Sequence, residues 1–484
     1  MGAPTYARLA ALRDTYMTDV PDTASRERNR AHELEARALL QWRRAVRYAK
    51  EVLAWNRLYR AASYLRSALW VVPFIAIVVV LATMPLLRIL DDWLNWKPIL
   101  AEEGAQAMFQ TVVTLALSFL VFTFGSLLVA IQVASAQLTP RIIATALLRD
   151  NVVRFSVGLF VFTLIIAEMA LHRADTHAQR LITILVGVVG VATIITFLFL
   201  IDYAARLLRP VSIAARVADE GITVINTVYP ERLADASPAR PPLQEPAETP
   251  ARLCMQRGTS GFVLALDVTT LVDEARRRDG VIEFVPEVGD LVAEGEPLFA
   301  LYGGAAAIPD RKLRATVAFG RERTLEQDPM FAFRIVVDIG LKALSAAIND
   351  PTTAVLAIDQ VHRLLREIAQ RRLRDEDIVD DLGERRLIIR TPNWEDFVHV
   401  ACCEIRACGA GSLQIARRMR AMLEDLAGSV IEARRAALLD ELNALDRAVE
   451  TRYVLPEDLA LARESDPQGL GGASRAARVR RLSR

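Results

Sequence analysis

Residues 108–140, MFQTVVTLALSFLVFTFGSLLVAIQVASAQLTP, form an apolar stretch long enough to cross a bilayer, whose hydrocarbon core is about 30 Å thick. Hydropathy predicts four such spans, over 68–87, 108–133, 152–171 and 181–201. Hydrocarbon offers no partner to a backbone N–H or C=O, so each span must be helical. The apolar content of 52% is concentrated in the first two hundred residues, which predicts a membrane bundle followed by a soluble region.

The second span is not uniformly apolar. Every seventh residue is small or polar, through Thr111, Ser118, Gly125, Gln132 and Thr139, with Thr114 beside the first two. A sevenfold spacing drifts only about 20° per heptad, which a left-handed supercoil absorbs, so the stripe should face other helices or a water-filled path. It is either a helix-packing seam or the lining of a pore. Among the few ionisable groups in the spans, Glu168 must find a partner or stay protonated. His172 and Arg173 are near enough to pair with it, so an ion pair and an ion-path role are both open.

The flanks predict orientation. Lys50, Arg57, Arg60 and Arg66 precede the first span, Arg141, Arg149 and Arg154 surround the second connection, and Arg206, Arg209 and Arg216 follow the fourth span. The opposite loops carry Asp91, Asp92, Glu102, Glu103 and Asp175 with fewer bases. The positive-inside rule then puts both termini of a multi-pass membrane protein in the cytosol. No signal peptide is expected ahead of the first span.

Outside the spans, residues 1–67 read as a cytosolic helical region, 202–250 as a helix and Pro-rich linker, 251–320 as a small β-rich module, 321–464 as a helical cytosolic domain and 465–484 as a basic disordered tail. The turn Val288, Gly289, Asp290, Leu291, Val292, with Gly295, Pro297 and Leu298 after it, resembles half of the biotinyl or lipoyl carrier sandwich. A carrier needs a lysine at its hairpin tip, and 261–302 contains none, so no attached cofactor is expected. The fold class predicted is an α-helical bundle of four transmembrane helices followed by a cytosolic α+β domain holding a small biotinyl/lipoyl-like β-sandwich and a helical bundle.

The most distinctive soluble stretch is 321–354, RERTLEQDPMFAFRIVVDIGLKALSAAINDPTTA. Arg334, Asp338 and Lys342 recur at steps of four on one helix, an ion-pair ladder. Asp350 before Pro351 marks a capping carboxylate and a first-turn proline where another helix starts. Arg321, Arg323, Gln327, Asp328, Arg334, Asp338, Asn349 and Asp350 form a possible ligand surface, and caps with a buried salt bridge account for the same residues.

The blocks S-A-Q-L-T-P-R after the second span, S-G-F-V, V-G-D-L-V-x-x-G-x-P-L, R-T-x-x-Q-D-P-x-F and A-L-S-x-x-I-N-D-P-x-T-A occur in that order. They resemble the bacterial predicted-membrane-protein family known as a domain of unknown function, the 2254 family, from the first span to about Asp425. The resemblance implies a membrane bundle with a cytosolic domain, and no particular activity. The chain departs from the family pattern at Ala332, where Gly is suggested, and at Ala346, where Pro is suggested.

A net charge of +1 argues against a nucleic-acid partner. His399 and Cys403 lie one turn apart without a complementary pair, so no metal site is expected, and no nucleotide or catalytic motif is evident. The function expected is a homo-oligomeric channel or transport-like protein, its second span lining a central path for an ion or small molecule. The alternative is a membrane-anchored ligand sensor or scaffold without conduction. An enzyme using Asp328, Asp338 and Asp350 is a third, weaker expectation. The lipid bilayer is a partner in every case.

Overall fold

The computed structural model describes residues 55–94, 99–137, 150–172, 180–207, 210–233, 249–373 and 377–472. Thr139, Arg173, Asp175, the linker at 234–248 and the tail from 473 lie outside them. The chain divides into two compact units, Met1–Leu58 and Tyr59–Arg484, and the membrane and soluble elements belong to the second.

Helix α1 (Trp55–Ser67) leads to four helices, each long and apolar enough to cross a membrane: α2 (Val71–Leu94), α3 (Glu102–Gln137), α4 (Asn151–Leu171) and α5 (Arg180–Leu207). All four extend to or past the ends predicted by hydropathy except at the start of the first, because hydropathy marks only the part that sits in hydrocarbon. The 36 residues of α3 reach about 54 Å at 1.5 Å per residue. Helix α4 is the central one, with half of its apolar window buried against 11% for α2. Gly158 permits that centre to be tight, since a Cβ there would stand 2.6 Å from Val72 of α2. At mid-span the hydroxyls of Thr163 and Thr193 meet at 2.8 Å, a polar contact fully enclosed between α4 and α5.

The bundle has two apolar clusters. Val80, Met84, Phe109, Val112, Ile166 and Val186 fill the half far from the soluble region. The near half, through Val153, Val157, Phe160 and Leu200, is continuous with the soluble core by way of Ile213, Ala214 and Val217. Those last three lie on α6 (Pro210–Val228), which carries one apolar face from the end of α5 into the soluble region.

The soluble region is α+β. Strands β1 (Arg252–Met255), β2 (Gly261–Leu266), β3 (Gly280–Phe284), β4 (Leu291–Val292), β5 (Pro297–Gly303) and β6 (Val317–Gly320) are joined by α7 (Val268–Arg277) and α8 (Asp310–Arg314). Helices α9 (Pro329–Ala343) and α10 (Pro351–Ala369) follow, then β7 (Asp377–Val379) and β8 (Arg385–Ile389). Strands order as β4-β2-β6 in one sheet and β1-β5-β3-β8-β7 in the other. Strand β8 joins β3 in parallel, Ile282 opposite Leu387, so the larger sheet is completed by chain that comes after α9 and α10. Helices α11 (Trp394–Gly409), α12 (Leu413–Ser429), α13 (Glu432–Glu450) and α14 (Pro456–Ala462) complete the fold. Helix α6 packs on α9 and α10 at Gly221, where a Cβ would lie 2.7 Å from that of Ala332. The extra methyl at Ala332 therefore fills the space the glycine leaves.

Candidate functional site

Helix α3 buries Ala105, Phe109, Val112, Ala116, Thr123 and Ala130 against its own bundle, at steps of four, three and four and then of seven. The sevenfold stripe lies on a different face. Thr111, Thr114, Ser118, Gly125 and Gln132 are all exposed, and a Cβ on Gly125 would meet nothing within 4 Å. Among the described residues the stripe is therefore not a seam within this chain's own bundle. Thr111 Oγ1 donates to the Ala107 carbonyl at 2.7 Å, Thr114 to Gln110 at 2.9 Å and Ser118 to Thr114 at 2.7 Å. Carbonyls one turn back satisfy them within the helix.

Glu168 is half exposed in the last turn of α4 and stands 3.4 Å from His172 Nδ1, one turn further on. Two other acids organise the bundle ends. Asp91, 6% exposed, accepts from the Leu181 N–H at 3.0 Å and so caps α5 from the last turn of α2. Asp150, 2% exposed, caps α4 by accepting from the N–H groups of Val152 and Val153, and also meets Tyr203 Oη and, at 2.7 Å, Arg216. Sequence reasoning treated Asp91 only as loop charge and passed over Asp150. An Asp immediately before an apolar run was the available signal for the second.

The soluble candidates fall into three places. At the start of α9, Asp328 caps the helix by accepting from Phe331 N at 3.0 Å and pairs with Arg323 at 3.0 Å. Burial pushes its carboxyl upward, against the pull of Arg323. Gln327 Oε1 accepts from Leu266 N of β2 at 3.1 Å. Gly289, at φ +98°, brings its turn so close that a Cβ would lie 2.1 Å from Arg323 and 2.5 Å from Asp328. So S-G-F-V, V-G-D-L-V and R-T-x-x-Q-D-P meet at one junction. Glu326 beside it accepts from Ser63 Oγ of α1 at 2.6 Å. Arg321, also in this segment, is exposed.

The second place is the middle of α9. Arg334 binds Asp338 and, at 2.7 and 2.9 Å, Glu404 of α11, and it holds the Glu404 carboxyl below its ordinary range. The ladder thus turns sideways to α11 after its first rung. The third place is the far end of α9. Asn349 takes a left-handed turn at φ +47°, and Asp350 caps α10 by accepting from Thr353 N at 3.1 Å. Hydrogen bonds from the Thr353 hydroxyl and N–H keep the Asp350 carboxyl low. A 15-residue helix separates Asp328 from Asp350 by about 22 Å, so these residues do not line one pocket. Among the described residues no three His, Cys, Asp or Glu side chains gather as a metal site would require.

Residues 66–425 match the family model described as predicted membrane protein (DUF2254). The chain belongs to this family. Four of the five sequence blocks that resemble DUF2254 lie in described residues, and three of them form the junction at Gly289. Among curated relatives, an uncharacterized protein of Mycobacterium bovis is 26% identical over 449 residues, covering 88% of this chain and 83% of its own length. Uncharacterized proteins from Mycobacterium tuberculosis strains CDC 1551 and H37Rv match to the same extent. No solved structure matches the chain.

Proposed function

We propose that the protein is a homo-oligomeric channel or transport-like protein of a bacterial inner membrane, with α3 lining a central path and the soluble region regulating it from the cytosol. The observation that carries this reading is the outward stripe of Thr111, Thr114, Ser118, Gly125 and Gln132. A helix that met only acyl chains would gain nothing from small and polar residues at a heptad spacing. Copies arranged about a rotation axis bring such stripes together, where hydroxyls and the Gln132 amide can face water and a permeating solute. The basic flanks support the orientation. In this reading the β strands before α9, with a turn like the biotinyl or lipoyl half-motif, belong to the regulatory region rather than to a carrier.

A second reading, a membrane-anchored sensor or scaffold, draws on the internally satisfied hydroxyls, which let the stripe pack against a neighbouring helix without water. Two substitutions separate the readings. On the channel reading, Gln132→Glu alters the preference between cations and anions, and Gly125→Leu blocks flux while the oligomer survives. On the scaffold reading, Gly125→Leu wedges the helices apart and lowers oligomer mass. Liposome flux alongside oligomer mass in detergent is the measurement, and absence of flux from the unaltered protein under any ionic gradient ends the channel reading.

A further inference from the structure

After α14 the chain turns back and lays residues 464–472 against α10 and α12. Three side chains of α12 hold this segment. Gln414 Nε2 donates to the Gly469 carbonyl at 2.6 Å. Arg417, 1% exposed, donates to the carbonyls of Glu464 at 3.2 Å, Gly471 at 3.3 Å and Gly472 at 2.8 Å, so one guanidinium clasps both ends of the segment. Arg418 supplies a floor. Gly469 is buried on its stem in a left-handed turn, φ +66°, where a Cβ would lie 3.2 Å from Arg418 Cδ and 2.5 Å from Val355 of α10.

The position of Arg418 is set by a histidine. Its Nε donates to Asp359 at 2.7 Å and its terminal N–H to His362 Nδ1 at 3.1 Å, while His362 Nε2 donates to Asp425 at 2.9 Å. An arginine can only donate, so this arrangement requires a lone pair at Nδ1 and a neutral ring. A proton at Nδ1 removes the acceptor and sets imidazolium against guanidinium. The charged groups around the ring are Arg418 and Asp425 from α12 and, from α10, Arg366, which pairs with the same Asp425, and Asp359, which Arg418 holds. Helix α6 presents Asp219, which Arg363 of α10 binds. The carboxylate that meets the ring is thus shared with Arg366 and stands at Nε2, on the side away from Arg418.

We propose that His362 is a proton-operated latch for residues 464–472: protonation at Nδ1 drives the Arg418 guanidinium away, the stem beneath Gly469 moves with it, and the segment lifts from α10 and α12, uncovering Val355 and Arg417. The latch does not depend on the channel reading above. A ring released from Arg418 takes up a proton more readily than a latched one, so acid favours release. Burial and then Arg418 hold the latched imidazole below 6.5, so release grows by at most about tenfold per pH unit as pH falls from 6.5 toward the latched value, and levels off beneath it.

The test is hydrogen–deuterium exchange on the full chain in nanodiscs at about pH 7.5 and about pH 5.5, each corrected for the intrinsic exchange rate at that pH. The reporters are the amides of Asp466, which donates to the Arg417 carbonyl, of Gly469, which donates to the Asp466 carbonyl, and of Gln468 and Gly471, which donate to the Asp466 carboxylate. Their protection is expected to fall at least about fivefold at the lower pH while that of β3 holds. His362→Gln offers an amide N–H to Asp425 and a carbonyl oxygen to Arg418 but takes up no proton, and should abolish the response. Arg418→Met, which keeps a stem beneath Gly469 without the guanidinium, should abolish it as well. Arg417→Gln should expose the segment at both pH values.

An undiminished response in His362→Gln overturns the latch and assigns the pH dependence to Asp466. Equal loss of protection in β3 and in the segment also overturns it, because acid then acts on the whole fold. No response in the unaltered protein ends the proposal, and full protection in Arg417→Gln removes the clasp on which it rests.

Discussion

His362 is held at both ring nitrogens. Its Nε2 lies 2.9 Å from Asp425 and its Nδ1 3.1 Å from an Arg418 N–H, so the partners select the neutral tautomer protonated at Nε2. Arg418 in turn binds Asp359, while Arg366 reaches Asp425 and Arg363 binds Asp219 of α6. Burial first, then the Arg418 guanidinium, lowers the imidazole pKa from 6.5, against the pull of Asp425. Below that value the unfolded chain takes up a proton more readily than the fold does. The contribution to stability is therefore fully present above pH 6.5 and is lost as pH falls toward the folded value. The unaltered protein should show a decline in Tm on acidification across this window, and His362→Gln should flatten that part of the profile. A profile unchanged by the substitution removes His362 as its source.

At the scale of elements, α9 and α10 begin in the same way, with a capping Asp followed by Pro at the first helical position. The two caps differ in what surrounds them. Asp350 is half-buried and serves only its own first turn, through Thr353. Asp350→Ala should cost about 1 kcal/mol, an ordinary cap loss. Asp328 is 4% exposed and also holds Arg323 against the turn at Gly289. Asp328→Ala should cost about 2 kcal/mol, because a buried charge-assisted bond is lost with the cap. Denaturant midpoints for the two variants check the order, and equal losses would mean that the junction adds nothing to the cap. Both caps are legible from Asp-Pro alone, since capping is a matter of neighbouring backbone. That Asp328 also closes a three-block junction was not legible, because the junction joins Asp328 to the distant Gly289 turn and its neighbour Gln327 to Leu266, 61 residues earlier in the chain.

For the whole molecule, the continuous core from Phe160 and Leu200 through Ile213 to Val336 means that the near half of the bundle and the soluble region share one apolar interior. Substitutions at Ile213 should therefore unsettle both together. Orientation is tested at the same scale. With the four native cysteines replaced, Asp92→Cys should react with an impermeant maleimide on intact cells and Ile348→Cys only after permeabilisation. The reverse pattern rejects cytosolic termini. Cys408 is the exposed one of the four, whereas Cys402 is buried in apolar surroundings that push its thiol far above the ordinary range, so removal of Cys408 matters most for background.

The sequence by itself determined the number of spans, the α+β character of the soluble region, the Asp350-Pro351 helix start and the family. Each rests on a local property: transfer of apolar side chains from water, the reach of a side chain to its own backbone, or a run of adjacent residues. Only the tertiary structure decided which face of α3 is covered, since the heptad pattern marks two faces of that helix and packing on α4 chooses between them. It also decided that Asp91 and Asp150 are buried caps, because a charge beside a span has the same sequence appearance whether it meets water or another helix's N-terminus. Arginines show the same limit. Arg417 is 1% exposed and donates to the carbonyls of Glu464, Gly471 and Gly472, and Arg434 caps the end of α10 through those of Ile368, Ala369 and Arg371. In an Arg-rich chain such residues read as solvated, and only a fold that delivers unpaired carbonyls to them makes burial favourable.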